Sequence, residues 1–217
     1  MNAYPILSMN PSFSDSRRPK RHPSNRMQRR IGYVTLSAIL TRGRESRMKK
    51  EIKWYEGIGP LQEALAGNGA FLVVNDPKGR PNAMTIGWGE IGIVWSRPVF
   101  TVLVRKSRYT YACIRSADSF TVNVPGPGML KDELLLCGTK SGRDLDKFAV
   151  CGFAAIPGRK VSAPIIDRCD LHYECKIIAR TEQARADFGS EEVLAKYYKD
   201  GDHHLIVFGE ILTAYTG

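Results

Sequence analysis

Val99-Phe100-Thr101-Val102-Leu103-Val104-Arg105-Lys106-Ser107-Arg108-Tyr109-Thr110 is an almost unbroken apolar run that passes abruptly into cations and hydroxyls. Its first half is what a strand buried on both faces requires. Tyr109 to Ser116, directly behind it, has helical character. The same strand signals recur on either side. Ala70 to Val74 is a short apolar run, and the turn residues Asp76-Pro77-Lys78-Gly79-Arg80-Pro81 send the chain back into Asn82 to Trp88. Phe120, Val122 and Val124 alternate with Thr121 and Asn123, and Tyr173, Cys175 and Ile177 alternate with His172, Glu174 and Lys176. His204 to Leu212 reads as the last strand. Helices are expected near Pro60 to Leu65, at Met129 to Cys137 and at Glu191 to Tyr198. Strands outnumber helices without a βαβ rhythm, so the sequence points to a mainly β fold, an antiparallel barrel with helical insertions.

A chain of 217 residues with 43% apolar residues can bury one sizeable core. The net charge of +10 is unevenly placed. Residues 1–47 hold ten Lys/Arg against Asp15 and Glu45, which leaves 48–217 nearly neutral with 22 basic and 20 acidic residues. We therefore divide the chain into a basic tail, 1–47, expected to be mobile, and a folded domain, 48–217. Three origins compete for the tail: a transit-like peptide, an arm for nucleic acid or an anionic surface, or upstream sequence before a start at Met48. The last is favoured because the domain-like pattern begins directly after Met48. The near-neutral domain itself carries no nucleic-acid signature.

Five cysteines with no Cys-x-x-Cys pair fit neither a disulfide framework nor a zinc site, and a reducing cytoplasm is the simplest compartment. No apolar run approaches the length of a membrane span, and the first thirty residues lack the order of a secretory signal, which argues against insertion and export. Gly87-Trp88-Gly89-Glu90-Ile91-Gly92 matches the spacing of a dinucleotide-binding fingerprint, but a strand and Pro98 follow where a helix should open. It reads as a glycine-rich hairpin. Gly138-Thr139-Lys140-Ser141 lacks the spacing of a P-loop, and the four histidines have no metal-ligand spacing.

The junction at Arg105 to Thr110 is chemically specific. Ser107 is a favoured N-cap type, free helix amides favour an anion, and nearby cations and the Thr110 hydroxyl complete a phosphomonoester site. The alternative is a solvated turn that binds nothing. Asn82-Ala83-Met84-Thr85 lies before it and offers an amide, a hydroxyl and edge backbone to a polar ring system. Met84 and Trp88 are more often core than ligand wall.

Taken in order, several segments resemble one family. Asn82 to Gly89, Arg97 to Val102, Val104 to Thr110 and Phe120 to Pro125 are similar to the FMN-binding split-barrel flavin reductases, in particular their flavoredoxin-like members. Cys137 to Asp144, Asp146-Lys147-Phe148 and Gly201-Asp202-His203-His204 running into Phe208-Gly209-Glu210 extend the resemblance over about 60–215. It implies an FMN-binding split β-barrel, antiparallel and Greek-key-like, that forms a homodimer and holds FMN without a covalent bond. Electrons would pass from NADH, NADPH or a redox partner to free flavin, ferric iron or another acceptor. Carried over residue by residue, Asn82, Ala83, Met84 and Thr85 would line the ring. Arg105, Lys106, Ser107, Tyr109 and Thr110 would hold the phosphate, and Lys140, Ser141 and Gly142 the far side of the pocket. His204 would stand where a nicotinamide stacks.

Two departures from the family are the basic tail and the early end at Gly217, which implies a short closing strand. His203 and His204 face opposite ways on a strand, so one of them reaches the site. The bland alternative for His204 is a surface or core histidine, and Cys137 is expected to be buried filler rather than a redox thiol. Three rival readings stay open: an electron carrier without NAD(P)H activity, a flavin-storage module, and a binder of nucleic acid through the tail.

Overall fold

The structure is a computed structural model, and it describes residues 49–217. The tail and the start at Met48 lie outside the described residues. Eight strands form one sheet in which every pairing is antiparallel: β1 (Lys50–Ile52), β2 (Ala70–Asn75), β3 (Pro81–Ile86), β4 (Gly89–Val94), β5 (Arg97–Arg105), β6 (Ser119–Val124), β9 (Leu171–Glu182) and β10 (His204–Thr216). A separate small ribbon pairs β7 (Ala155–Ile156) with β8 (Ile165–Ile166). Among the described residues five α-helices intervene, α1 (Ile58–Ala66), α2 (Tyr109–Ser116), α3 (Lys131–Thr139), α4 (Lys147–Cys151) and α5 (Glu191–Tyr197), with a 3₁₀ turn at Arg185–Asp187.

The strand order is β3-β2-β6-β9-β10-β5-β4, with β1 joining β10 beside β5. β3 and β4 therefore sit at opposite ends of the sheet, yet Gly87 and Trp88 alone connect them. A two-residue link spans only about 10 Å at ~3.3–3.6 Å per residue, so the sheet must curl until its ends nearly meet. That is a barrel left open along one seam. The expected glycine-rich hairpin is present: β4 turns through Trp95 and Ser96 into its antiparallel partner β5, while Gly87 and Trp88 cross the seam from β3, which pairs with β2.

Alternation sorts each strand between two cores. Ala70, Leu72 and Val74 of β2 enter the barrel interior with Phe100, Val102, Val104, Phe120, Val122, Tyr173 and Val207. Phe71 and Val73 face outward but are covered by Leu134 and Cys137 of α3, Phe148 and Cys151 of α4, and Phe153. Both faces of β2 are buried, which is why its sequence is uniformly apolar; each such side chain contributes about 1.5–3 kcal/mol.

β10 is longer than expected. It runs to Thr216, pairing with β9 along one edge and with β5 and then β1 along the other, so the expected short closing strand is corrected. Register shifts at Phe208/Gly209 and Ile211/Thr213 break its alternation and hide its second half from a period-2 reading. A Cβ on Gly209 would lie 2.5 Å from the Phe120 ring, so the barrel interior permits no side chain there. Among the described residues, no helix is long and apolar enough to cross a membrane.

Candidate functional site

The β5-to-α2 junction, the β3 strand, the 137–147 segment and the start of β10 meet along one groove. One part, of ≈ 220 Å³, is lined by Met84, Thr85, Gly87, Trp88, Leu103, Arg105, Arg108 and His204. A second, of ≈ 130 Å³, shares Met84 and Arg108 with it and adds Ser107, Tyr109, Thr110, Cys137, Thr139, Lys140, Ser141, Gly142, Arg143 and Lys147. Together they offer an apolar and aromatic end and a cationic end.

At the apolar end, the Trp88 ring packs 5.1 Å from Tyr197 and 5.4 Å from His204. Trp88 is 42% exposed, so it is a wall of the cleft and not the core residue its type suggests. Thr85 is turned aside, its hydroxyl donating to the Leu134 carbonyl at 2.6 Å. His204 is buried, and its Nδ1 lies 2.8 Å from the Tyr198 hydroxyl. Burial, with the nearby Arg105 cation, pushes its pKa down to about 4. It is a neutral imidazole at pH 7. Of the histidine pair, His204 lines the cleft, while His203 stacks on Tyr198 and Phe188.

The junction departs from its expected capping. Arg108, not Ser107, is the N-cap of α2, and it caps through backbone alone. Ser107 has been recruited elsewhere: its amide and hydroxyl both donate to the Asp202 carboxylate, at 3.1 and 2.7 Å. Arg105 donates to the carbonyls of Asp202 and Tyr197 at 2.8 and 2.9 Å and lies over the Tyr198 ring. These bonds clamp residues 197–202, which carry the ring that packs on Trp88. Lys106 points away to an ion pair with Glu182 at 2.7 Å and lines neither part of the groove.

The cationic end is built differently. Thr110 is buried and accepts from Asn82 Nδ2 at 2.9 Å, and Asn82 lies under Gly142. A Cβ on Gly142 would stand 2.1 Å from Asn82 Oδ1 and 2.8 Å from the Tyr109 ring, so this loop can close on the strand only as glycine. Ala83 is wholly buried and contributes its carbonyl, which accepts from Lys147 Nζ at 2.9 Å. The Cys137 carbonyl accepts a second bond from Nζ, also at 2.9 Å.

Lys147 is 5% exposed and has no carboxylate within ion-pair distance among the described residues. An ammonium has three donors, so one remains for whatever enters the groove. Burial lowers its pKa, and Arg108 nearby adds to the shift. A buried cation without a counter-charge is costly unless an anion completes it. Arg108, whose Nη1 donates to the Gly138 carbonyl, together with Lys140 and Arg143, surrounds the same space. The residues present therefore fit a flavin with a terminal phosphate: an aromatic-walled cleft joined to a buried, incomplete cation site.

Residues 65–217 match the flavin reductase-like domain family. The chain belongs to that family. An uncharacterised protein of Archaeoglobus fulgidus is 30% identical over 65% of this chain and 68% of its own length. Among solved structures, the flavoredoxin of Methanosarcina acetivorans is 31% identical, covering 68% of this chain and 67% of its own, with a TM-score of 0.54. The flavoredoxin of Desulfovibrio vulgaris is 26% identical, covering 68% of each chain, also with a TM-score of 0.54. The fold is thus the split barrel of flavin reductase-like FMN-binding proteins, and the groove is the candidate flavin site of this family member.

Of the residues singled out from sequence, Met84, Thr85, Arg105, Ser107, Tyr109, Thr110, Lys140, Ser141, Gly142 and His204 line the groove. Asn82 and Ala83 support it from beneath, and Lys106 does not reach it. Sequence reasoning included Arg108 only within the Arg105 to Thr110 phosphate segment and left Lys147, Arg143 and Asp202 without roles. A lysine heading the apolar run Phe148 to Cys151 was the available signal for Lys147. Cys137 is buried filler with its pKa pushed up to about 12 by burial, although the Cys151 thiol lies beside it in space.

Proposed function

We propose that this chain binds FMN and passes electrons through it from NADH or NADPH to free flavin, ferric iron or another acceptor. The observation that carries this reading is the buried Lys147 ammonium, left without a carboxylate at one end of a cleft whose other end is walled by Trp88 and His204. When bound, the flavin supplies the hydride and one-electron chemistry, and the protein holds and tunes it. Lys147, Arg108, Lys140 and Arg143 would hold the phosphate, with Thr110 and Ser141 as hydroxyl partners. Met84, Leu103 and Trp88 would exclude water from the ring.

His204 orients and does not act as an acid. Its pKa near 4 leaves almost no imidazolium at pH 7, so it has no readily available extra proton to give. A Tyr198 hydroxyl donating to Nδ1 would put the imidazole proton on Nε2, where it would be a fixed donor toward a nicotinamide amide. Burial raises the Tyr198 pKa, which keeps that hydroxyl protonated.

The same reading includes a homodimer in a reducing cytoplasm. The dimer is supported by the edge strand β4, where Ile93 is 62% and the adjoining Trp95 64% exposed. The compartment is supported by five free, buried thiols. Anaerobic mixing tests the redox assignment: flavin absorbance should bleach with NADH or NADPH and return on adding FMN or a ferric chelate. Reduction by dithionite with no bleaching by either nucleotide would instead leave an electron carrier.

A further inference from the structure

Two thiols that the flavin reading leaves idle lie against each other beside Lys147. Cys137 is in the last turn of α3 and Cys151 ends α4, and both belong to the buried cluster that covers Phe71 and Val73. Their side chains are within hydrogen-bonding reach of each other. Both are free thiols, 1% and 8% exposed, and while reduced they pack as apolar filler.

What separates them in sequence is the cationic end of the groove. The chain between them, residues 138–150, holds Lys140, Ser141, Gly142, Arg143 and Lys147. Cys137 itself lines that end, and its carbonyl accepts from Lys147 Nζ at 2.9 Å. Lys147 and Cys151 are both buried and lie one turn apart on α4, so they share a face. A bond between the two sulfurs would close a ring around this whole segment. A disulfide is about 2.05 Å long, well inside the separation of two unbonded sulfurs, so closure draws the ends of α3 and α4 together. The Cys137 carbonyl then moves relative to Nζ, and a ligand site keeps its function only within about 0.5 Å of its working geometry.

Access to the pair runs through the same groove. Burial raises both thiol pKa values, that of Cys137 to about 12, while Lys147 acts against the shift at both and Arg168 at Cys151. Little thiolate forms at pH 7, so reaction is slow and depends on a small oxidant reaching Cys137 from the groove. A phosphate seated on Lys147 would cover that approach.

We propose that Cys137 and Cys151 form a reversible disulfide that weakens phosphate binding when the groove is empty and a peroxide is present. One thiolate attacks hydrogen peroxide and breaks its O–O bond, giving a sulfenic acid and one water. The second thiol displaces the sulfenic hydroxyl as another water and forms the S–S bond, so the two sulfurs lose two electrons and the peroxide gains them. A dithiol reverses the step by exchange. The effect on FMN rests on the flavin reading above, whereas the bridge itself does not.

The full chain, flavin-free and FMN-loaded, is treated with hydrogen peroxide, alkylated, digested and read by mass. A peptide pair joined through Cys137 and Cys151, two hydrogens lighter than its parts, should form in the flavin-free chain and more slowly in the loaded one. The oxidised chain should bind FMN about tenfold more weakly, as expected for contacts displaced by a fraction of an ångström, with riboflavin unchanged and dithiothreitol restoring the loss. Cys151→Ala should bind FMN within about twofold of the unaltered chain and should not respond to peroxide. Oxidation without this linked pair, or linkage through other cysteines, would overturn the bridge. A linked pair with unchanged FMN affinity, or an equal peroxide effect in Cys151→Ala, would overturn its control of the phosphate site. A reduced chain that binds no FMN would sink the flavin reading and that control with it, while the linked peptide would still decide the bridge.

Discussion

Replacing Lys147 with methionine should separate FMN binding from folding. The ammonium makes two bonds of 2.9 Å to the Ala83 and Cys137 carbonyls, and has no carboxylate partner among the described residues. Methionine keeps the length and apolar stem. It removes two charge-assisted bonds, about 1.5–3 kcal/mol each, and orphans two carbonyls, but it also removes a buried charge whose desolvation costs several kcal/mol. These effects oppose each other, so the flavin-free protein should melt within a few degrees of the unaltered chain. FMN binding loses one charge-assisted contact outright, and its affinity should fall about ten- to a hundredfold. Riboflavin lacks the phosphate and should bind both proteins alike. The pH dependence follows from the lowered pKa: Lys147 loses its proton below the ordinary 10.5, so FMN affinity should fall as pH rises through that lowered value, and Lys147→Met should abolish this fall. Fluorescence quenching titrations with both flavins provide the assay. Equal losses for FMN and riboflavin would refute the phosphate role of Lys147.

Three further outcomes test other parts of the structure. His172 is wholly buried, and burial with the adjacent Lys49 cation pushes its pKa to about 3, so stability should be lost as pH falls below 6.5. The loss is about 5 kcal/mol once the imidazole is fully charged, about 3 kcal/mol of it by pH 4, and urea midpoints at pH 7 and pH 4 should show a smaller drop for His172→Gln. Gly209→Ala should cost about 1–3 kcal/mol by overpacking against Phe120, read as a lower melting temperature; an unchanged melt would show that the interior yields there. Ile93→Glu on the exposed edge of β4 should shift a dimer to monomer by light scattering while FMN remains bound, and an unchanged mass would remove this strand from the dimer reading.

The barrel was legible wherever one periodicity governed a whole strand. Phe120 to Val124 and Tyr173 to Ile177 alternate because one local face meets the interior, and Val99 to Val104 is apolar because little of it sees water. The second half of β10 was not legible, because two register shifts exchange its faces midway. The hairpin that includes residues 89–92 was legible because β4 pairs with the next strand, β5; the seam crossed at Gly87 and Trp88 was not, because only the closure of the whole sheet brings the ends of β3 and β4 together.

The site divides along the same line. Tyr109, Thr110, Lys140, Ser141 and Gly142 could be assigned from sequence because each falls in a short segment that lines the groove as a unit. Arg105 and Ser107 looked like phosphate ligands because their nearest sequence neighbours are cations and a helix start. What claims them is Asp202, 95 residues beyond Ser107, and a carboxylate at that remove leaves no local mark. Lys147 shows the converse: a lysine reads as solvated until α3 and β3 bury it, and its distinction is a counter-charge missing in three dimensions. A sequence displays the charges a site owns. The charge it still needs is set only when the chain has packed around it, which is why the proposed phosphate site centres on Lys147 and not on Arg105.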